Sequence, residues 1–475
     1  MSGTYMSKLN WILAFALGAT LAGCSSHAVT SSLGSGGTGT GTEVPLLLTD
    51  TPPAGVTPLS FEVTISSAML EPGNVQLLTA PVTQEITRLQ TETAYLSTTS
   101  VSNASYTSLK LTFSNPSLTF VNNTAATITV GGTACTAGSV CTVSPTATNE
   151  TPTLTFPAAL AVSASSPQAV LVDLNLTSLF SATLGADFSA GSSVSVIAPP
   201  SKGEALASVE DFVGQIQSLS TANSTITIAN SLGSLTATVN SSTIYNDFPS
   251  ATCPTPKFSC LAANQIISAD LSEQSNGTFV AENLWFKDAD SSETEVEGVI
   301  TAVNVPTQQF TYVVLNESAA VSGLAVGNVA TVHWNVPPAT TTFAPDDMGE
   351  NTTGYLFDVP ADLIVGQEVS VRRNASSSGL SLNADRVLLR ASRFTATATG
   401  PIAFPNLTIG DLPSLFGAAG TAQIIATVST TGATEYGGRA TVFTEIPING
   451  SVSVRGQLFA NAGTPSLLAS KIVLN

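Results

Sequence analysis

From residue 43 onward, apolar residues alternate with polar ones in short runs along the chain. Val, Ile, Leu and Phe alternate with Thr and Ser, and clusters of Gly, Pro and Asn interrupt the runs about every ten residues. A period of two places successive side chains on opposite faces of a strand, whereas a helix would need apolar residues three and four apart. The chain is therefore predicted to be all-β, with single helical turns expected at residues 177–180 and 413–416.

A Pro-Pro-Ser-Lys-Gly segment at residues 199–203 divides this β-rich region into two parts. Pro and Gly in close succession end strands and mark connections. The first part, residues 43–200, contains predicted strands at 60–66, 108–113 and 169–176. Its short alternating strands indicate an antiparallel β-sandwich.

The second part repeats one pattern three times, which is the strongest internal signal in the sequence. Each copy contains, in order, Gly-x-Ile, apolar-Thr-apolar, Ala-Thr-Val, Thr-x-aromatic, apolar-Ser-apolar and a closing Ala-x-x-apolar-x-apolar motif. Four of these motifs begin at Gly214, Gly298 and Gly400; at Ala237, Ala330 and Ala426; at Thr243, Thr341 and Thr434; and at Ala281, Ala384 and Ala469.

Five or six short strands in about 80 residues favour a small closed barrel, because closure leaves no exposed strand edge. We expect three OB-like β-barrels, at residues 211–289, 295–391 and 396–475, each with a hydrophobic core of its own. The middle copy is longer by about 18 residues, and the extra length falls around residues 333–355.

The N-terminus has a different pattern. Lys8 precedes an uncharged apolar run of about 13 residues, 11–23, and a helix needs ~20 to cross a membrane. A basic start and a short apolar run predict a signal peptide at residues 1–23. The run ends in Leu-Ala-Gly-Cys at 21–24, which resembles the lipobox of bacterial lipoproteins. This resemblance implies cleavage before Cys24, lipidation of its thiol and attachment to a membrane; the alternative is an ordinary secretory signal with a chance cysteine.

Residues 24–42 are mostly Ser, Gly and Thr and include no acidic residue. Such a stretch cannot bury enough apolar surface to fold, so a flexible tether is predicted. Enterobacterial lipoproteins retained at the inner membrane carry an aspartate after the lipidated cysteine, and this chain has Ser25 there. The outer membrane is therefore favoured over the inner one.

The chain is acidic, with a net charge of −18 although only 10% of its residues are charged. An acidic chain repels phosphate backbones, so nucleic acid is not expected as a partner.

Besides Cys24, the chain has four cysteines in two close pairs, Cys135 with Cys141 and Cys253 with Cys260. Neither pair has the spacing of a metal site, and no histidine is close enough in sequence to complete one. In an exported protein, each pair is predicted to form a local disulfide.

Two further resemblances rest on softer motifs. Leu-Thr-Asp-Thr-Pro at 48–52, Tyr-Thr-Ser-Leu-Lys-Leu-Thr-Phe at 106–113 and Val-Asp-Leu-Asn-Leu at 172–176 look like a β-sandwich domain of unknown function that begins many bacterial envelope lipoproteins. The repeats resemble a second domain of unknown function, a small OB-like barrel often found in tandem in such proteins. Neither resemblance implies an activity, catalytic residues or a cofactor.

The motifs of common enzymes are missing, and no catalytic residue, metal or cofactor is expected. The sequence contains no P-loop, dinucleotide fingerprint, His-Glu-x-x-His or Gly-x-Ser-x-Gly motif. His333 follows a repeated strand motif, which favours a strand histidine over a catalytic one. The acidic run at 288–297 begins like a calcium loop but lacks its later ligands, which favours a solvated linker between barrels. Asp346, Asp347 and Glu350 form a weaker calcium candidate.

Trp334 and Tyr355, in the insertion of the middle copy, are the candidate ligand-binding residues. An exposed Trp334 could stack on a sugar or a peptide; the alternative is that its ring closes the barrel end. The sequence thus predicts a non-enzymatic cell-envelope lipoprotein with a structural, adhesive or display role. The alternative function is binding of carbohydrate or peptide for a transport or degradation system, with a surface glycan or protein as the ligand.

Overall fold

The structure is a computed structural model. It describes residues 42–51, 57–163, 169–197, 207–230, 233–246, 248–249, 252–274, 278–287, 295–317, 323–337, 340–346, 350–374, 376–410, 426–461 and 465–475. The predicted signal peptide, Cys24, most of the tether and the turn predicted at 413–416 lie outside these ranges.

The chain is all-β, with an N-terminal sandwich followed by three small OB-like barrels, as predicted. The sandwich strands are β1 (Thr42–Thr51), β2 (Thr57–Glu71), β3 (Val75–Gln76), β4 (Val82–Glu85), β5 (Ala94–Val101), β6 (Ser105–Val121), β7 (Ile128–Val130), β8 (Thr133–Cys135), β9 (Val140–Val143), β10 (Ala147–Thr148), β11 (Thr153–Ala161), β12 (Val170–Asn175), β13 (Ala186–Asp187) and β14 (Val194–Ile197).

The two sheets of the sandwich have the strand orders β14-β12-β1-β5 and β11-β6-β2-β3, with β4 and β9 pairing to the long strands of the second. Alternation holds along β6, where Leu109, Leu111 and Phe113 are buried between the sheets. Most strand pairs are antiparallel, but β1 and β12 run parallel. Alternation does not encode strand direction, so the sequence pattern could not predict this pair. The helical turn expected at 177–180 is present as α1 (Leu176–Leu179), and the Asn175 side chain caps it.

The first barrel contains β15 (Ala207–Ser220), β16 (Thr225–Asn230), β17 (Gly233–Asn246), β18 (Ile266–Glu273) and β19 (Phe279–Lys287). The second contains β20 (Glu295–Asn304), β21 (Gln309–Glu317), β22 (Val329–His333), β23 (Thr342–Pro345), β24 (Glu368–Arg373) and β25 (Ser381–Leu389). The third contains β26 (Ala391–Ala398), β27 (Asn406–Gly410), β28 (Ala426–Gly438), β29 (Ser451–Phe459) and β30 (Ser466–Leu474).

All three barrels have one topology. The order around each barrel is first, second, third, fifth and fourth strand, and the third strand runs parallel to the fifth. This is the arrangement of an OB-type barrel. In the middle barrel the insertion divides the third strand into β22 and β23, and both halves pair with β25. A 3-10 turn lies between the third and fourth strands of each barrel, at Phe258–Cys260, Pro360–Asp362 and Phe443–Glu445.

Strand register corrects the alignment of one repeated motif, Gly-x-Ile. Gly214 and Gly298 lie opposite the first residue of the apolar-Ser-apolar motif, and a Cβ at either would meet a second-strand carbonyl oxygen within 2.6 Å. In the third barrel Ala396 occupies that place, and Gly400 lies in the turn after β26.

The Ala-Thr-Val motif is also out of register in one copy. Ala330 and Ala426 lie opposite the last residue of the apolar-Thr-apolar motif, whereas Ala237 lies opposite its first residue. A shift of two residues leaves every side chain on the same face, so the pattern alone could not detect it.

The Thr-x-aromatic and closing Ala motifs make the same contact in every barrel. A buried threonine hydroxyl donates a hydrogen bond to the carbonyl oxygen of the closing alanine: Thr243 to Ala281 at 2.7 Å, Thr341 to Ala384 at 2.6 Å, and Thr434 to Ala469 at 2.8 Å. The same hydroxyl accepts from a backbone N–H at the bend of the third strand: Asn240 at 3.0 Å, Asn335 at 2.8 Å and Thr431 at 2.8 Å. Each threonine thus fixes the bend to the fifth strand.

The barrels have separate hydrophobic cores, but side chains of a neighbouring unit pack into or against each of them, as Ile364 of the second barrel does at the core of the third. Phe459 and Leu468 of the third barrel join the core cluster of the second. Tyr95 of the sandwich joins that of the first, where its ring meets Phe212 edge-on at 5.3 Å between centroids. The four units are therefore packed together.

Candidate functional site

Both predicted disulfides are present with the predicted pairing. Cys135 is bonded to Cys141 and Cys253 to Cys260. Each closes a short loop, at β8–β9 of the sandwich and before the fourth strand of the first barrel.

The hypothesis that Trp334 is an exposed stacking platform is corrected by its burial. Its side chain is 2% exposed and stacks on Phe310 at 6.2 Å between centroids, inside the second barrel. Tyr355 is half-buried, and its ring packs on Phe459 of the third barrel at 4.9 Å. The two aromatic side chains therefore pack within the protein: Trp334 belongs to the hydrophobic core of the second barrel, and Tyr355 packs against that core.

The acidic run at 288–297 was expected to be a solvated linker, and its described residues are instead part of the fold. Glu295 and Glu297 lie in β20, and Glu297 is buried. Asp346 of the weaker calcium candidate is also buried and forms an ion pair with Arg390. These carboxylates are neutralised by arginines, because a buried charge needs a partner. His333 lies half-buried in β22, with Gln309 opposite it.

The most concentrated ionisable site is a buried ion-pair cluster at the junction of the four units. The sandwich, the three barrels and the connection between the second and third barrels all contribute side chains. The cluster consists of Arg88, Arg390, Arg393, Arg455, Glu92, Asp270, Glu297, Asp346 and Glu368.

Arg393, on β26, lies at the centre of the cluster and is 4% exposed. Its Nε and Nη2 donate to the two carboxylate oxygens of Glu92, each at 3.0 Å. Its Nη1 donates to Glu368 of the second barrel at 2.9 Å. One guanidinium therefore joins the sandwich to two barrels, and the two parallel bonds to Glu92 fix its orientation.

Arg88 is positioned by a 3-10 turn, Thr87–Gln90, which a buried carboxylate organises. Glu85 accepts hydrogen bonds from the backbone N–H groups of Phe61, Thr87 and Arg88. Burial raises the pKa of Glu85, and the hydrogen bonds from Phe61 and Thr87, together with the charge of Arg88, act against that rise. The turn directs the Arg88 guanidinium to Glu297 at 3.3 Å and Glu368 at 3.2 Å.

The remaining two arginines, Arg390 and Arg455, connect the first barrel to the cluster. Arg390 pairs with Glu297 and Asp346, and its guanidinium lies over the Trp285 ring of β19 at 5.1 Å. Arg455 of β29 lies 3.0 Å from Glu92 and 3.8 Å from Asp270 of β18. The cation–π contact and the second ion pair bring the first barrel against the cluster.

The composition of the cluster indicates what it can do. Its four guanidiniums are matched by five carboxylates, so it has no excess of positive charge to hold an anion. Guanidiniums do not release protons in proteins, and each carboxylate is in an ion pair with at least one of them. The chemistry of the cluster suits holding units together rather than transferring groups.

Comparisons with known proteins add little. No model of a known protein family matches the chain, and no curated protein matches it. A solved structure of drosophila Unr CSD456 aligns with 56% of this chain and 97% of its own, at 12% identity and a TM-score of 0.13. At that TM-score nothing about this chain follows from the alignment.

Within the residues that the structure describes, no helix is long and apolar enough to span a membrane. In the same part of the chain, no three His, Cys, Asp or Glu residues are grouped as metal ligands.

Proposed function

We propose that this chain is a non-enzymatic lipoprotein of the bacterial cell envelope with a structural, adhesive or display role. Lipid on Cys24 anchors it to a membrane, and the outer membrane is favoured over the inner one. Residues 24–42 tether the folded body to this anchor. A surface glycan or protein is the kind of ligand that its loops would meet.

The observation that carries this proposal is the ion-pair cluster between the four units. Arg393 and Glu92 are 301 residues apart in sequence, and their paired side chains connect the third barrel to the sandwich. Buried ion pairs contribute little net stability compared with apolar packing, but they are directional. A protein that displays surfaces at fixed positions needs such directional contacts between its parts.

The anchor is tested by metabolic labelling with a fatty-acid analogue. Wild-type protein is expected to take up the label and to fractionate with membranes, whereas C24A does neither. The variant S25A keeps the cysteine and should behave as wild type. Equal labelling of wild type and C24A would overturn the anchor.

The role is tested in a strain that lacks the protein, scored for detergent sensitivity and for adhesion. Wild type should restore the phenotype, while C24A and R393M should not, because one lacks the anchor and the other the centre of the cluster. Immunoblotting confirms equal amounts of the proteins. Full rescue by R393M would contradict a role that depends on the fixed arrangement of units.

A further inference from the structure

The three barrels carry a charged residue at the same place, directly after the apolar-Ser-apolar motif of the fourth strand: Asp270, Arg372 and Arg455. Asp270 and Arg455 lie 3.8 Å apart, and Arg455 also lies 3.0 Å from Glu92 of the sandwich. Arg372 follows the core residue Val371 and therefore lies on the outer face of the second barrel. It is half-buried, and its side chain forms no ion pair or hydrogen bond within the described part of the chain. Of the three equivalent charges, the chain uses two to join its units.

Arg372 lies in a row of four residues that crosses the outer face of the second barrel. Glu295 of β20, Arg372 of β24, Arg386 of β25 and Thr342 of β23 are cross-strand neighbours in that order. Residues directly opposite on antiparallel strands have Cβ atoms about 5 Å apart, and like charges there are destabilising. The Glu295 carboxylate is already bonded, because one oxygen pairs with Arg386 Nη2 at 2.5 Å and the other accepts from the Ser370 hydroxyl at 3.3 Å. Arg372 therefore has a cation beside it and a carboxylate that is bonded elsewhere.

The surroundings of this row are locally basic in an acidic protein. Arg373 and Asp385 lie beside the row, at a bulge between β24 and β25, and the Asn374 amide donates to Asp385 at 3.3 Å. Glu297, the next outward carboxylate of β20, pairs with arginines of the ion-pair cluster. Among the described residues, three arginines thus lie with two carboxylates, in a chain whose net charge is −18. Of the eight arginines in the chain, four belong to the ion-pair cluster and three lie here.

The chemistry of this basic row selects one kind of partner. A guanidinium presents its N–H groups as a planar fork, which matches the two oxygens of a carboxylate. One excess positive charge suits a single carboxylate, because the acidic surface around it repels a dense polyanion. Thr342, the exposed neighbour of Arg386, offers a hydroxyl that can bond to a hydroxyl of the same ligand.

We propose that the outer face of the second barrel around Arg372 binds the carboxylate of an acidic sugar, so that the displayed surface recognises a uronate-containing glycan. This inference rests on the proposed function for the surface setting of the glycan. The binding itself needs no membrane anchor, because the row lies on the folded body.

The test is calorimetric titration of the purified protein with trigalacturonate, and with maltotriose as the neutral sugar. Trigalacturonate should bind, more weakly as NaCl is added, and maltotriose should not. R372Q should weaken binding about ten- to hundredfold, because charged hydrogen bonds to the carboxylate are lost. R439Q removes an exposed arginine of the third barrel and the same net charge, so it is the matched control and should bind as wild type. The urea midpoint of R372Q should be unchanged or higher, since a like-charge pair is removed.

A second variant tests the same row in the opposite direction. E295Q removes the carboxylate that competes for Arg386, so it should bind trigalacturonate more tightly than wild type. Equal affinity of wild type, R372Q and R439Q would overturn the proposal, and so would equal binding of maltotriose. Binding to phosphatidylglycerol vesicles that R372Q abolishes, without binding of trigalacturonate, would assign the row to a lipid headgroup instead and overturn the glycan. Loss of fatty-acid labelling at Cys24 would overturn the anchor alone, because the titration is made in solution.

Discussion

At the scale of single residues, Thr434 and its counterparts Thr243 and Thr341 show how one hydroxyl shapes each barrel. Each accepts a backbone N–H at the bend of the third strand and donates to the fifth strand. Without the threonine hydroxyl, the N–H at the bend and the carbonyl oxygen of the fifth strand would both lack these hydrogen bonds. Their recurrence explains why the Thr-x-aromatic and closing Ala motifs repeat together.

The first prediction concerns T434V, which preserves shape and removes the hydroxyl. It should lower the free energy of unfolding by about 1–3 kcal/mol, because two buried backbone groups lose their partner. The control is T427V, at a half-buried position of the same strand, where the change should be small. Equal effects of the two substitutions on urea unfolding would show that the hydrogen bond is not the cause.

Sequence patterns predicted the structural role of some types of residue and missed that of others. The paired cysteines and the alternating strand residues were correctly interpreted, because their signals are local. The cluster arginines were missed, since each pairs with residues far away in the chain. One signal could have directed attention to them: half of the eight arginines in the chain belong to the cluster, and only 10% of the residues are charged. A charged residue that is rare in the chain and has apolar neighbours in sequence is a candidate for burial.

At the scale of elements, the strands were predictable and their partners were not. Alternation with period two defines which residues face inward, and this holds in all three barrels. It does not define direction or register, so the parallel β1–β12 pair and the two-residue shift of Ala237 needed the structure. Nor does it reveal which unit supplies an apolar side chain, as Phe459 shows by joining the core of the second barrel.

The second prediction tests that shared core. F459A should destabilise the second and third barrels together by about 3–5 kcal/mol, because it leaves a cavity between them. The matched control is F404A, where the ring is 69% exposed and truncation should cost little. Calorimetry should show the transition of both barrels moving to lower temperature in F459A. If the third barrel alone were affected, the two cores would be independent.

At the scale of the whole molecule, the four units are joined by charge as well as by apolar contacts. The sequence predicted separate barrels with a polar junction between the first two, and the cores are indeed distinct clusters. That junction differs from the expectation, since Glu297 is buried against Arg88 and Arg390 rather than solvated, and Asp346 of the predicted calcium candidate is likewise paired with Arg390. The fixed arrangement of units rests on those pairs, and so does the proposed structural role in the envelope.

The measurement that tests this account most directly is a double-mutant cycle on Glu92 and Arg393, with urea unfolding of the chain from residue 25 onward. E92Q and R393M should each cost about 3–5 kcal/mol, because each leaves a charged partner buried. The double variant should cost less than the sum of the two, with a coupling of about 2 kcal/mol or more. Additive costs would mean that the sandwich and the third barrel are not held together by this pair, and would contradict the account.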